Sequence, residues 1–379
     1  MDRGAQSVGI AALNKPLEKV ACFEAAREGG NHMTPTERVK AVYHRLTPDF
    51  VPFTIYETKV KGRPYEKELM DLDICCIRRV SSYEIIQEGD VATETRKTNL
   101  PNGRCIEQTV IHTPCGDLTK TEESDAITSW TRERLFKNGD DYKKLFYLFD
   151  HQKAVANYEA IRSAWEEDAK NGTVLSRSHL PHEPISDLLG YIMGPEAYCY
   201  EWMDNRELLG RMRHVYRQTY GIVAQDPFEI VNQGGNPTPE IIGRNGYRDY
   251  YMREYDDAYA VLHPAGKLLG THLDGRNGLI MDLIAEAKLD YIEAYDPVMS
   301  PGVAKATEIF GDKLLSLHFP SAWQTHDEKQ IVKDTIGLIE AAKDPGRLII
   351  GITEDAPMDR YVPIVRGIMR GIHEFGPLK

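Results

Sequence analysis

Short apolar runs alternate with longer amphipathic stretches through the second half of the chain, and this alternation constrains the fold more than any other feature. The runs predicted as strands are Thr173–Ser176, Phe228–Val231, Lys267–Thr271, Tyr291–Ala294, Leu314–Leu317 and Leu348–Ile352. The helices predicted between them include Asp249–Leu262, Asn277–Ala287, Gly302–Phe310 and Glu328–Ala342. Alternating strands and helices indicate a parallel sheet. The number of units favours a closed (β/α)₈ TIM barrel over an open sheet.

The N-terminal part of the chain is predicted to begin the same barrel. Residues 1–32 differ in pattern from the rest and are interpreted as an N-terminal extension, which leaves residues 33–379 as the barrel domain. Thr34 is a suitable helix cap, and Glu37 follows at the spacing of a capping box, so a helix is expected to start here. The apolar run Val51–Tyr56 is the predicted first strand.

Residues 84–125 have a different character. They are rich in Thr, Ile and Val, and they contain turn signals at Pro101-Asn102-Gly103 and Cys115-Gly116-Asp117. This pattern predicts a β-hairpin insertion, which we expect over the mouth of the barrel. A charged helix is predicted after it, from Tyr142 to Asn171.

Composition argues against several classes of protein. The net charge of −12 and the lack of a basic stripe argue against nucleic-acid binding. No apolar run reaches the roughly 18–20 residues that span a bilayer, so no membrane segment is expected. Early charges such as Asp2 and Arg3 argue against a signal peptide. A cytoplasmic protein is therefore expected, with its six cysteines reduced.

Polar residues follow four of the predicted strands at their C-terminal ends. These residues are Asn232 and Asn236, His272 and Asp274, Glu293, and Glu354. Strands of a parallel barrel are buried on both faces, so polar residues at this end are candidates for an active site. Tyr56, at the end of the first strand, and Trp323, after the seventh, are candidate substrate contacts together with Asn232 and Asn236.

His272 and Asp274 are two residues apart, so in an extended strand both side chains can face the same cavity. Glu293 and Glu354 would add carboxylates from later strands. Such a cluster needs a counter-charge, and a divalent metal would supply it. Zinc accepts ligands of this kind. Simpler interpretations stay open: His272 as a hydrogen-bonding residue, Asp274-Gly275 as a turn, and Glu354 as a helix cap.

From about Met33 to the C-terminus the chain resembles the uroporphyrinogen decarboxylase superfamily. The motifs that carry the resemblance are M-T-P-T-E-R-V at 33–39, P-D-F-V-P at 48–52, G-K-L-L-G-T-H-L-D-G at 266–275, D-Y-I-E-A at 290–294 and G-I-T-E-D-A-P at 351–357. The superfamily includes decarboxylases and corrinoid-dependent methyltransferases. This chain is closest in character to the methyltransferase branch.

In that branch zinc is typically held by a His-x-Cys pair and a Cys of the last strand. The more distant cobalamin-independent methionine synthase adds a Glu between them. His272 and Glu293 match the family's His and Glu, whereas Asp274 and Glu354 stand where the cysteines would be. The resemblance implies that these four residues bind zinc and carry the catalysis. Replacing thiolates by carboxylates makes the ligand set harder, which favours a methoxylated donor over a thiol acceptor.

The resemblance therefore implies a zinc-dependent methyltransferase that moves a methyl group from a small, methoxylated aromatic substrate to a corrinoid protein. A lyase acting on a carboxylated substrate is the alternative. The decarboxylases carry M-R-Q-A-G-R near the N-terminus, of which only Gly62-Arg63 is present here. A barrel that binds without catalysing is a third hypothesis. The sequence leaves the oligomeric state open, with a homodimer as one expectation.

Overall fold

The computed structural model describes residues 32–125, 128–168, 170, 172–201 and 206–379. In chain order its strands are β1 (Phe53–Tyr56), β2 (Cys75–Val80), β3 (Tyr83–Gln87), β4 (Ala92–Asn99), β5 (Cys105–Thr113), β6 (Gly116–Ser124), β7 (Ser129–Glu133), β8 (Gln152–Ala156), β9 (Val174–Leu180), β10 (Ile230–Gly234), β11 (Leu268–His272), β12 (Tyr291–Tyr295), β13 (Leu314–His318) and β14 (Leu348–Ile352). The predicted extension at residues 1–32 lies outside the described residues, apart from His32.

The α-helices surround these strands or cover the barrel ends. They are α1 (Pro35–Tyr43), α2 (Glu66–Met70), α3 (Tyr142–Asp150), α4 (Tyr158–Asp168), α5 (Pro184–Asp187), α6 (Pro195–Tyr200), α7 (Arg206–Val223), α8 (Pro239–Gly246), α9 (Arg253–Leu262), α10 (Met281–Glu286), α11 (Val303–Phe310), α12 (Glu328–Ala341) and α13 (Tyr361–Phe375). Among the described residues, no helix combines the length and the apolar character needed to cross a membrane.

Eight strands close into a parallel barrel in the order β1-β14-β13-β12-β11-β10-β9-β2. The predicted TIM barrel is confirmed. Helix α1 starts as expected: the Thr34 side chain accepts a hydrogen bond from the Glu37 amide, and the Glu37 carboxylate accepts one from the Thr34 amide. This helix packs under the barrel, where Tyr43 meets Tyr291 edge-to-face at 5.0 Å.

The antiparallel insertion is also confirmed, and it is larger than a hairpin. Strands β4–β7 form one four-stranded sheet, and β3 pairs with β8 in a second. The predicted single helix from Tyr142 to Asn171 is wrong, because strand β8 interrupts it after Asp150. Strand β3 needs a hydrogen-bonding partner, and β8 supplies it. Asn157 then restarts the helix by accepting a hydrogen bond from the Ala160 amide at 3.2 Å.

Strand β2 was missed because its C-terminal half is charged. Arg78 lies on the outer face, where it contacts Glu57 at 2.6 Å and Glu167 at 2.7 Å. Arg79 belongs to the opposite face, since successive side chains alternate along a strand. The two consecutive arginines therefore interrupt the apolar pattern from which strand β2 could have been predicted.

The interior of the barrel changes from apolar to polar along its axis. An apolar cluster fills the N-terminal end and includes Cys75, Ile77, Leu175, Ile230, Tyr291, Leu314 and Ile349. Alternate residues of a barrel strand face inward, so the next interior positions follow two residues later. On β9, β10 and β12 these positions are Arg177, Asn232 and Glu293. Polar groups therefore accumulate toward the C-terminal end, where TIM barrels place their active sites.

Candidate metal centre

Three of the predicted ligands come together at the C-terminal rim of the barrel. His272 is the last residue of β11, and its Nε2 lies 3.8 Å from Asp274 Oδ2 and 3.8 Å from Glu354 Oε1. Glu354 follows β14, so it approaches from a strand that is not adjacent to β11. One potential ligand atom from each residue lies within 4.8 Å of the others. An imidazole nitrogen and two carboxylate oxygens are a suitable donor set for zinc or a similar divalent ion.

The fourth predicted ligand, Glu293, lies on the other side of the imidazole. Its Oε2 is 3.3 Å from His272 Nδ1, and the Tyr56 hydroxyl is 3.4 Å from the same nitrogen. Glu293 is not part of the cluster of three potential ligands. Its position matches that of a carboxylate that orients a metal-binding histidine.

A buried ion pair fixes Glu293. Arg177 contacts Glu293 Oε1 at 2.6 Å and donates to Oε2 at 2.8 Å, and both side chains are nearly inaccessible to solvent. Asn232 Nδ2 lies 3.3 Å from Glu293 Oε2. The predicted substrate contact Asn232 is thus fully buried and supports Glu293 from below.

The strand that carries Glu293 is irregular directly after it. Ala294 has a φ of 61°, and the register with β13 shifts between Ile292 and Tyr295. A non-glycine residue in this region costs about 1–3 kcal/mol, which the surrounding packing must offset. Bulges of this kind re-aim side chains beside functional sites. Ala294 itself is fully buried, so the irregularity is held in place by the core.

Burial and the neighbouring carboxylates shift the pKa of His272 in opposite directions. Burial lowers the pKa of His272, but hydrogen bonds with Asp274, Glu293 and Glu354 outweigh it and raise the pKa well above its usual value. Burial similarly raises the pKa of Glu293, but Arg177 and His272 outweigh it and hold the pKa well below its usual range. The same carboxylates that favour a proton on His272 favour a divalent cation.

A cavity of about 370 Å³ opens beside this cluster. Its lining residues are Tyr56, Thr58, Lys59, Arg63, Tyr65, Arg79, His272, Thr353, Glu354, Asp355, Ala356, Met358 and Tyr361. They come from the end of β1 and the segment after it, from β2 and β11, and from the loop after β14 up to the first residue of α13. None belongs to the antiparallel insertion. The volume is near the small end of the range for small-molecule sites, which suits a compound with one ring.

The other predicted substrate residues lie around this cavity or away from it. Tyr56 lines it. Asn236 is exposed, and its side chain hydrogen-bonds to Asp274. Trp323 packs edge-to-face on Phe319 at 6.0 Å and is not among the lining residues.

Comparisons with known proteins find similarity in structure but not in sequence. A methyltransferase from Methanosarcina mazei superposes with a TM-score of 0.53 at 10% identity, covering 90% of this chain and 99% of that one. This chain shares its barrel fold with that methyltransferase. At this level of identity the similarity shows the fold alone. No family model and no curated protein sequence matches the chain.

Two further solved structures are more distant. A B12-independent methionine synthase from Shewanella sp. W3-18-1 has a TM-score of 0.44 at 7% identity, covering 83% of this chain and 87% of that one. A sugar phosphate isomerase/epimerase from Parabacteroides distasonis has a TM-score of 0.35 at 12% identity, covering 55% of this chain and 76% of that one.

Sequence reasoning missed the inward-facing Arg177 and His179, because the predicted strand ended at Ser176. The spacing Arg177-x-His179 was the available signal, since both residues face inward on β9. Burial, followed by the charge of Arg177, lowers the pKa of His179 well below its usual value, so its ring is neutral near pH 7. His179 Nε2 and Asn232 Oδ1 are buried without a hydrogen-bonding partner among the described residues.

Both groups lie near Gly234, where space is limited by neighbouring side chains. A Cβ atom at Gly234 would be 3.0 Å from Asn232 Oδ1 and 3.7 Å from His179 Cε1. Buried polar atoms normally have a partner. A bound water or a polar group of a substrate would satisfy these two, so they are candidate contacts below the metal cluster.

Another buried carboxyl group, Glu183, lies outside the barrel wall near β10 and β11. Ser186 Oγ is 3.3 Å from Glu183 Oε2, and Thr271 Oγ1 is 3.5 Å from Oε1. The buried rings of Tyr251 and Tyr255 surround it. Burial raises the pKa of Glu183 to about 7.

We expect Glu183→Gln to change how stability depends on pH. Below about pH 7 Glu183 is protonated in the folded protein, whereas in the unfolded chain it ionises near pH 4.3. The folded state binds more protons in this window, so its stability falls as pH rises and levels off above pH 7. Between about pH 5 and 7.5 the wild type should lose about 2.5 kcal/mol relative to Glu183→Gln.

Urea unfolding at several pH values measures this difference. Glu240→Gln changes an exposed glutamate and serves as the matched control, whose stability should parallel the wild type across the range. If Glu183→Gln also parallels the wild type, Glu183 is ionised in the folded protein and the assignment is wrong.

Proposed function

We propose that this chain is a zinc-dependent methyltransferase that moves a methyl group from a small, methoxylated aromatic compound to a corrinoid protein. One observation carries the proposal: His272, Asp274 and Glu354 converge beside a cavity of about 370 Å³ at the catalytic end of a TIM barrel. A metal held by these three residues would lie beside a small substrate in the cavity.

Two further observations support it. The chain shares its fold with a protein described as a methyltransferase, from Methanosarcina mazei. In the resemblance seen in the sequence, His272 matches the zinc-binding His of the methyltransferases, Glu293 matches the Glu of methionine synthase, and Asp274 and Glu354 stand where the cysteines would be. A shared fold does not by itself decide function, so these residues carry the proposal.

Each residue of the centre has a distinct role in this proposal. His272 Nε2, Asp274 and Glu354 hold the ion, and Glu293 orients the imidazole through Nδ1. Tyr56 approaches the same nitrogen. A bound zinc would supply Lewis acidity that polarises the methoxy oxygen of the substrate and weakens its bond to the methyl group.

The cavity wall suits an aromatic ring. Tyr65 and Tyr361 both line the cavity and stack on each other at 5.3 Å. Aromatic pairs gain from such contacts beyond the area they bury. The corrinoid has to be supplied by a partner protein in this proposal, since the chain lacks the D-x-H-x-x-G motif that binds it.

A lyase acting on a carboxylated substrate is the second candidate, because one observation favours it. Lys59, Arg63 and Arg79 line the same cavity and provide cations for carboxylate groups. A tetrapyrrole with many carboxylates would need a larger site than this one, so the lyase would act on a smaller acid.

Methyl transfer is tested directly with the zinc-loaded protein. We expect incubation with a reduced corrinoid protein and a panel of methoxylated benzenes to give methyl-cobalt, seen in the visible spectrum, and the corresponding phenol. Protein stripped of metal should be inactive and should regain activity when zinc is restored. Release of carbon dioxide without methyl-cobalt would reject the methyltransferase and favour the lyase.

A further inference from the structure

Arg79 is the one residue of strand β2 that lines the cavity. Its guanidinium lies over the ring of Tyr56, 4.6 Å from the ring centroid. This cation–π contact holds the guanidinium against the ring of Tyr56, and its planar fork of N–H groups suits a carboxylate. Tyr56 in turn reaches His272 with its hydroxyl group. Arg79 is therefore separated from the metal cluster by the length of one aromatic side chain.

The charges of the cavity lining do not balance. Apart from His272, three cations, Lys59, Arg63 and Arg79, face two carboxylates, Glu354 and Asp355. Lys59 forms an ion pair with Asp355, and Glu354 is directed to His272. Among the described residues, Arg63 and Arg79 have no carboxylate partner. The chain as a whole carries a net charge of −12, so a cationic wall here is a local departure.

We propose that Arg79 binds the carboxylate of a substrate whose other end lies at His272. The substrate class is then a methoxylated aromatic acid, with its ring along Tyr56 and its anionic group at the guanidinium. Arg79 has no carboxylate partner among the described residues, and its fork of N–H groups matches the two oxygens of a carboxylate. The assignment of the methyl-bearing end rests on the proposed function, whereas binding of the carboxylate end needs no methyl transfer.

The test compares ligands of equal shape and different charge by calorimetry of the zinc-loaded protein. We expect 4-methoxybenzoate to bind at least about tenfold more tightly than neutral 4-methoxybenzamide, because it forms a charge-assisted hydrogen-bonded pair. Arg79→Gln should remove this preference, because it should lower the affinity for the benzoate about tenfold and leave the affinity for the benzamide unchanged. Arg79→Lys, which keeps the charge but loses the fork, should retain part of it.

Arg96→Gln is the matched control, since it removes the same charge from an exposed position on β4. It should leave both affinities as in the wild type. Equal binding of acid and amide to the wild type, or equal losses for both in Arg79→Gln, would overturn the proposal. Tighter binding of phenyl phosphate than of benzoate would overturn the choice of a carboxylate.

The result is separable from the methyl-transfer assay. An Arg79-dependent preference for the acid, found in a protein that forms no methyl-cobalt, would reject the proposed function and support the carboxylate site. Methyl transfer from neutral and acidic donors at equal KM would support the proposed function and reject the carboxylate site at Arg79.

Discussion

Replacing His272 with Ala is expected to remove the bound zinc and to lower methyl transfer on the order of a thousandfold, because Lewis-acid activation is worth several kcal/mol. His272 supplies the nitrogen ligand, and its Nε2 faces both Asp274 and Glu354 at 3.8 Å. Glu354→Ala should also lose the metal. Metal content per chain by mass spectrometry, together with turnover, measures both effects.

The Glu293→Gln variant tests whether Glu293 binds the metal itself or orients His272. If Glu293 orients His272, the variant should keep a metal site with about 10–100-fold lower affinity, and added zinc should rescue turnover. The exposed Glu340→Ala is a control that should change nothing. Full metal content in both His272→Ala and Glu354→Ala would eliminate the proposed ligand set.

Periodicity was sufficient to predict most of the barrel. Strand β14 illustrates why: Leu348–Ile352 is an uninterrupted apolar run, and all five residues are buried. A strand that is covered on both faces leaves this signature directly in the sequence. Strand β2 lacks it, because its outer-facing Arg78 makes ion pairs and its inner-facing Arg79 lines a cavity.

The candidate site was predictable only in part, for a geometric reason. His272, Asp274 and Glu354 follow the ends of apolar runs, so the barrel topology brings them to one rim. Which nitrogen of His272 faces which carboxylate depends on side-chain directions that periodicity does not encode. Arg177 is an example, because it lies inside a strand and not at its end. Its ion pair with Glu293 becomes visible only in the barrel interior.

Arg177→Met is expected to destabilise the folded protein by about 3–5 kcal/mol, which is typical of breaking a buried ion pair. Its guanidinium contacts Glu293 at 2.6 Å, and the two side chains are 3% and 5% exposed. Removing the guanidinium leaves the Glu293 carboxylate buried without its main counter-charge. The urea concentration at the midpoint of unfolding should therefore fall.

Two comparisons test the cause of this loss. Arg162→Met breaks an exposed pair with Glu159, whose side chains are 63% and 76% exposed, and should cost less than about 1 kcal/mol. Combining Arg177→Met with Glu293→Gln removes both charges and should recover part of the stability, because no charge is then left buried alone. If the double variant is less stable than Arg177→Met, the loss comes from packing around the arginine stem. In that case Glu293 would not depend on Arg177, and its orientation toward His272 would need another explanation.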